Sequence, residues 1–443
     1  MDKILVLDFG SQYSHLICRR IREFSVYAEL VPYDISFEEI QRHDPKGIIF
    51  SGGPSSVYSP DAPMPENEIY DMDLPLLGIC YGHQLIVDKF GGKVKQANRE
   101  YGSSLLEIDD DENLLSGVGK SVRAWMSHGD EAEVIPPNFE IIGHTKNARA
   151  AAIALKKKSV YGIQFHPEVV HTEQGTTFLK NFVLKVCRAR QDWTMEGFID
   201  STVKKIASIE GDVLCGVSGG IDSTVTALII HKAIGNRLRC VFVDNGLLRL
   251  GEEDEIKKMF RENFKVNFDS IDASKTFLEK LNGIEDPEKK RKIVGNEFVN
   301  VFTEFAKMNG PFKWLAQGTL YPDVIESGVS KGPASVIKSH HNVGGLPESL
   351  NLKVLEPLRE LYKDEVRKIA KILHVPEKIL MRHPFPGPGL AVRIIGKITP
   401  EKLAIAKTAS RIVEDELVNA GIYGTVWQAY AAVGDDKAVG VVG

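Results

Sequence analysis

Twice along the chain an apolar, strand-like run ends in a turn built from glycines. Leu74–Ile79 enters Gly78-Ile79-Cys80-Tyr81-Gly82, and Val213–Val217 enters Ser218-Gly219-Gly220-Ile221-Asp222-Ser223. A strand that turns straight into a helix delivers its turn residues to the carboxyl edge of a sheet, so both junctions point to open, layered α/β architecture. Around the first, Ile4–Leu7, Tyr27–Val31, Gly47–Phe50 and Val160–Phe165 read as strands, and Ser14–Phe24, His83–Phe90 and Thr177–Cys187 as helices. The polar stretch Arg188–Trp193 reads as a linker, after which the rhythm restarts: helix Thr194–Ile209, strand Val213–Val217, helix Ser223–Lys232, strands Cys240–Val243 and Lys313–Gln317. A compact unit usually takes roughly 100–200 residues. The 443-residue chain therefore divides into domains at 1–190 and 191–383, with a smaller unit at 384–443.

That last unit opens on a rigid Pro/Gly stretch, 384–389, followed by a helix Pro400–Asn419 that Thr399 is placed to cap. Val426–Val433 and Ala438–Val442 are expected to pair as strands across Gly434–Lys437. One helix and two short strands bury little surface alone, so the unit should dock on another domain or subunit. Ser327–Gly345 is rich in Gly, Ser and Lys without apolar period, which suits an active-site lid or a plain surface loop.

With 43% hydrophobic residues the chain can build sizeable cores, and a net charge of -5 supplies no broad basic field for nucleic acid. Lys156-Lys157-Lys158 reads as a solvated face. No stretch approaches the ~20 apolar residues that span a bilayer, so no membrane partner is expected. Five widely spaced cysteines, Cys18, Cys80, Cys187, Cys215 and Cys240, form neither a disulfide framework nor a metal cluster, which fits a reducing, cytoplasmic setting.

The glycines around Cys80 let a side chain stand clear of a sharp turn while backbone N–H groups face a developing oxyanion. His166-Pro167-Glu168, at a strand end, offers a base and a group to orient it. Gly52 and Gly53, in the turn Ser51–Pro54, could add a second oxyanion N–H. Singly, Cys80 reads as a small core residue and His166 as a satisfied core histidine; the combination favours a cysteine nucleophile. The second turn lacks the Gly-Lys-Ser/Thr of a Walker loop but still suits phosphate. Gly219 and Gly220 admit close backbone approach, Ser218 and Ser223 supply hydroxyls, and the helix beginning near Ile221 favours an anion. Asp222 is natural there if Mg²⁺ bridges it to a nucleotide.

Asp8–Gln12, Ser51–Pro54, Gly78–Gln84 and Phe165–Glu168 make residues 1–190 resemble the class I glutamine amidotransferases, and the loop Ser218–Ser223 resembles that of the N-type ATP pyrophosphatases. Fused in this order, and with Val243–Arg249, Lys290–Gly295, Gln317–Asp323, Ile337–Asn342 and Arg382–Leu390, the whole chain resembles the glutamine-hydrolysing GMP synthase family. The resemblance implies a flavodoxin-like domain, a Rossmann-like domain and a small α+β dimerisation domain. It implies that Cys80 attacks glutamine with His166 and Glu168, and that Gly52, Gly53, Tyr81 and Gln84 bind glutamine or the oxyanion, near Ser127–Asp130. It further implies that ATP, with Mg²⁺ at Asp222, lies on Ser218, Gly219, Gly220, Ile221, Asp222 and Ser223, with adenine by Val243. XMP or the departing pyrophosphate would meet Arg291, Asp323, Lys338 and Arg382. A solvated loop charge is the plainer alternative for Lys338, the functional reading being favoured; for Arg382 the two readings are even. The family continues past the equivalent of Gly443, so the third unit is expected to be incomplete and the homodimer weakened or altered. A glutaminase with an uncoupled or inactive second half is the alternative reading.

Overall fold

A computed structural model describes residues 1–328 and 352–435. The chain divides into two compact units, Met1–Thr194 and Met195–Gly443. The expected Ala438–Val442 strand, Lys338, and all of the expected 327–345 segment beyond Gly328 lie outside the described residues.

The first unit is built on nine strands: β1 (Lys3–Asp8), β2 (Tyr27–Pro32), β3 (Gly47–Phe50), β4 (Leu76–Ile79), β5 (Lys93–Ile108), β6 (Ser121–Val134), β7 (Glu140–His144), β8 (Ala152–Leu155) and β9 (Val160–Ile163). They lie in the order β2-β1-β3-β4-β9-β8-β7-β5-β6. From β2 to β9 neighbours run parallel, and from β9 to β6 antiparallel. Ile4, Leu5, Val6 and Leu7 of β1 are fully buried on both faces, as a strand covered by helices on both sides must be. On β6 burial alternates instead, marking a ribbon with one wet face. Helix Ser14–Arg22 turns Ile17, Cys18 and Ile21 inward, and Ser36 begins the next helix with a capping box to Glu39.

The second unit holds five strands, β10 (Asp212–Gly216), β11 (Leu238–Asp244), β12 (Phe268–Asp272), β13 (Phe312–Ala316) and β14 (Lys353–Leu355), in the order β12-β11-β10-β13-β14. All pairs are parallel. Helix Ile221–Ile234 follows β10 directly, and helix Pro287–Asn309 leads to β13. Leu390, Ile394, Leu403 and Ala406 enter the same core as Leu214, Val241 and Phe277, so the segment after Pro384 is packed on this sheet. Thr399 caps helix Pro400–Asn419 by accepting from the Lys402 N–H.

One expectation is corrected. Val426–Val433 is no strand; its sole sheet-like contact among the described residues is a bridge from Val433 to Ile394. Upstream of it the backbone is held by side chains instead: Gln428 donates to the Pro384 carbonyl, and the Tyr423 ring stacks on His383 at 4.0 Å.

Among the described residues no helix is long and apolar enough to cross a membrane. All five cysteines are free and buried.

Lys290 ties the packed segment down. It is fully buried, and its Nζ donates to the carbonyls of Ile394 (2.6 Å) and Gly396 (2.7 Å). Burial, aided by nearby Lys402, holds its ammonium below the usual lysine range. Lys290→Met keeps the volume but strands two carbonyls, and is expected to destabilise the second unit by about 2–4 kcal/mol. A calorimetric scan showing its transition unmoved would refute this account.

Candidate active sites

The first site forms where β4 meets helix Tyr81–Lys89. A Cβ on Gly78 would lie 2.3 Å from the Gly82 carbonyl oxygen, and one on Gly82 would lie 2.5 Å from that of Phe50. Only glycine fits either position, and the tight approach forces Cys80 to a φ of +53°. Its N–H donates to the Ile163 carbonyl at 2.8 Å, tying the turn to the end of β9.

β9 carries the partners. His166 Nδ1 lies 2.7 Å from Glu168 Oε1, both side chains buried, and the imidazole hydrogen-bonds Cys80. Burial works against the imidazolium, but the Glu168 carboxylate and the Cys80 hydrogen bond outweigh it and push His166 up to about 11. The backbone is held too: His166 N–H donates to Trp125 O at 3.0 Å, and Thr172 Oγ1 donates to His166 O at 2.5 Å. Gly52 packs against His166 and Cys80, so the turn 51–54 borders the sulfur. The Tyr81 side chain points into the core, its hydroxyl on Pro63 O, which leaves its backbone N–H as the group an oxyanion could use. Gln84 Nε2 donates to Asp130 O, joining the helix to β6. His83, between them in sequence, is fully buried and held neutral, burial pushing it down to about 3.

The second site lies at the carboxyl end of β10. Gly219 has φ +74°, and a Cβ there would meet the Ile256 side chain at 2.5 Å. Ser223 Oγ accepts from Ser218 N–H at 3.2 Å and lies the same distance from Ser218 Oγ, folding the loop over the helix start. Lys363 Nζ pairs with Asp222, at 2.5 Å from Oδ2 and 2.7 Å from Oδ1. Arg382 donates from Nη1 to Gly219 O at 3.3 Å, while its Nη2 lies 2.5 Å from a carboxylate oxygen of buried Glu252. Gly318 packs on Asp222, so the stretch 317–323 borders the loop. Asp323 itself accepts from Leu320 N–H and fixes the start of helix Tyr321–Gly328.

Val243 is buried in the core at the end of β11, so its side chain is packing and its backbone is what the strand edge presents. Arg291 is half exposed and pairs with Glu288 one turn back on its own helix. Reading the sequence missed Gln164, Thr172, Glu252 and Lys363. For Gln164, Glu252 and Lys363 the partner lies far away in the chain, 141 residues for Lys363 and Asp222, while Thr172 reaches His166 only six residues back; no local pattern announces any of them.

The class-I glutamine amidotransferase family matches residues 5–186, and the NAD synthase family residues 193–298. A protein of Brachyspira hyodysenteriae described as GMP synthase [glutamine-hydrolyzing] is 51% identical across 100% of this chain and 87% of its own length. The chain belongs to the glutamine-hydrolysing GMP synthase family. Another GMP synthase so described, from Caldanaerobacter subterraneus subsp. tengcongensis, is 51% identical over 100% of this chain and 86% of its own. The alignment to these GMP synthases runs through both units and lends nothing to a glutaminase with an idle second half.

The His166–Glu168 pair makes a pH prediction. Because the folded value is raised, its stabilising contribution is complete below about pH 6.5 and is lost as pH rises through about 11. Glu168→Gln should bring the His166 titration down toward neutral pH, read by NMR of the imidazole. Glutamine hydrolysis should fall by about 10²-fold or more with it. An unchanged titration would rule out the carboxylate as the cause.

Proposed function

We propose that this chain makes GMP from XMP, ATP and glutamine, with Cys80, His166 and Glu168 releasing ammonia and Ser218–Ser223 holding ATP. The observation that carries the first half is the buried Cys80–His166–Glu168 arrangement on a strained glycine turn.

In the first unit the Cys80 thiolate attacks the side-chain carbonyl carbon of glutamine. The oxyanion meets N–H groups of the Gly52-Gly53 turn and of Tyr81 at the helix start. His166 gives its proton to the departing nitrogen, and ammonia leaves a γ-glutamyl thioester. His166 then takes a proton from water, which attacks the thioester; glutamate departs and the thiolate is restored.

In the second unit the β- and γ-phosphates of ATP rest on the loop N–H groups and hydroxyls, with Lys363 and Arg382 beside them. The C2 oxygen of XMP attacks the α-phosphorus and pyrophosphate leaves. Ammonia adds to C2, and that oxygen departs with AMP. The Asp222–Lys363 pair is partly exposed, worth about 0–1 kcal/mol, and so gives way readily to a ligand. Among the described residues no group of three or more His, Cys, Asp or Glu could hold a metal ion by itself, but Asp222 with the Ser218 and Ser223 hydroxyls would offer oxygen donors to a Mg²⁺ that arrives with the nucleotide. Bound there, it would neutralise charge on the departing pyrophosphate. Arg291, Asp323 and Lys338 remain candidates for contacts with XMP or pyrophosphate. A second copy of the chain is the proposed partner, supported by Ile405, Ile412 and Val418, large apolar residues left exposed along helix Pro400–Asn419. Five free cysteines support a cytoplasmic setting.

Cys80→Ala is expected to lose glutamine-dependent GMP formation by at least about 10³-fold while still making GMP and AMP in equal amounts from XMP, Mg-ATP and ammonium. No GMP from ammonium, in either parent or variant, would reject the synthase reading. Lys363→Met should raise the KM for ATP by roughly tenfold, the loss of one charged contact; an unchanged KM would remove Lys363 from the nucleotide site.

A further inference from the structure

Two polar groups besides His166 touch the nucleophile. Cys80 Sγ lies 3.6 Å from the Ser127 carbonyl oxygen and 3.7 Å from Gln164 Nε2. They act oppositely on the two forms of the sulfur. A carbonyl oxygen accepts from a thiol S–H but repels a thiolate, whereas an amide N–H donates to a thiolate. The charged groups that bear on this sulfur are His166 and, behind it, Glu168.

Gln164 is held in place for this contact. It follows β9 directly, its N–H donates to Ala151 O at 2.8 Å, and it is 1% exposed. Its other amide atom, Oε1, is buried with no hydrogen-bond partner among the described residues. An unpaired buried amide oxygen destabilises a fold, and an apolar side chain of the same volume would remove that cost. A core position that carries such a group, with its N–H against the reacting sulfur, departs from what packing favours in the way functional positions do.

We propose that Gln164 is a further catalytic residue of the glutamine-hydrolysing site, donating from Nε2 to the Cys80 thiolate and offsetting the nearby Ser127 carbonyl. It keeps the sulfur charged and aimed while His166 holds the proton destined for the leaving nitrogen. The same donor weakens its hold as the thioester forms, since a neutral sulfur accepts poorly.

The inference rests on Cys80 being the nucleophile, and one experiment separates the two. The full-length protein and its Gln164→Met and Gln164→Glu variants are treated with chloroacetamide at pH 7, and the alkylation rate at each cysteine is read by peptide mass spectrometry. Met keeps the volume without a donor; Glu, when ionised, keeps the shape without one. Thermal unfolding is followed alongside, and steady-state glutamine hydrolysis gives kcat and KM separately. In the parent, Cys80 should react far faster than the four other cysteines. Both variants should slow Cys80 alkylation about tenfold and lower kcat for glutamine hydrolysis by a similar factor, with KM little changed. Gln164→Met should unfold at or above the parent temperature. Cys80 fast in the parent and equally fast in both variants would overturn the role of Gln164 alone. A Gln164→Met protein with a clearly lowered unfolding temperature would overturn it too, making the residue structural. Cys80 no faster than the other cysteines in the parent would overturn the nucleophile reading and this inference with it.

Discussion

The first of the two proposed sites depends on a helix backbone coming into contact with the end of a sheet. At Cys80 the helix start sits so close to β3 and β4 that no side-chain carbon fits at Gly78 or Gly82. That closeness drives Cys80 into positive φ at the very start of the helix. At Gly219, where the loop meets the helix after β10, the crowding comes from a side chain instead, with Ile256 filling the space a Cβ would need. The sheets exist to hold these edges still. β1, β3, β4 and β9 are buried on both faces, and a rigid central sheet is what allows a strained turn to persist.

Charge is handled differently at the two edges. His166 and Glu168 are buried together, so each sustains the other's charge where neither would be tolerated alone. Asp222 and Lys363 are both partly exposed and contribute little as a pair, which suits the proposed opening of the loop to an anion. The proposed nucleophile needs a partner that stays charged between turnovers; the proposed phosphate cradle needs one that can be displaced. The difference in burial supplies both.

The segment after Pro384 shows how far a distant interaction can reorganise local propensity. Val426–Val433 has the composition of a strand, yet Gln428, Tyr423 and Val433 are spent on the 383–395 stretch, which is itself anchored by Lys290 through two carbonyls. Nothing in the local pattern of Lys290-Arg291-Lys292 distinguishes a core lysine from its exposed neighbours. Only the space under Ile394 and Gly396 makes that choice.

Local sequence was enough to determine the strand-to-turn junctions and the parallel cores, and to single out Cys80, His166, Glu168 and Ser218–Ser223 as the proposed reactive groups. Each of those is written within a few residues, as glycine spacing, as an apolar run or as a short motif beside a strand end. The tertiary structure alone decided which groups surround them. Gln164 reaches Cys80 from just beyond β9 and the Ser127 carbonyl from β6, and Lys363 reaches the second loop across 141 residues of chain. The antiparallel half of the first sheet, β8 to β6, belongs to the same category, because the sequence of β6 alternates in burial without naming its neighbour. Periodicity says which face of an element is buried; only packing says against what, and the chemistry of a site lies in those contacts.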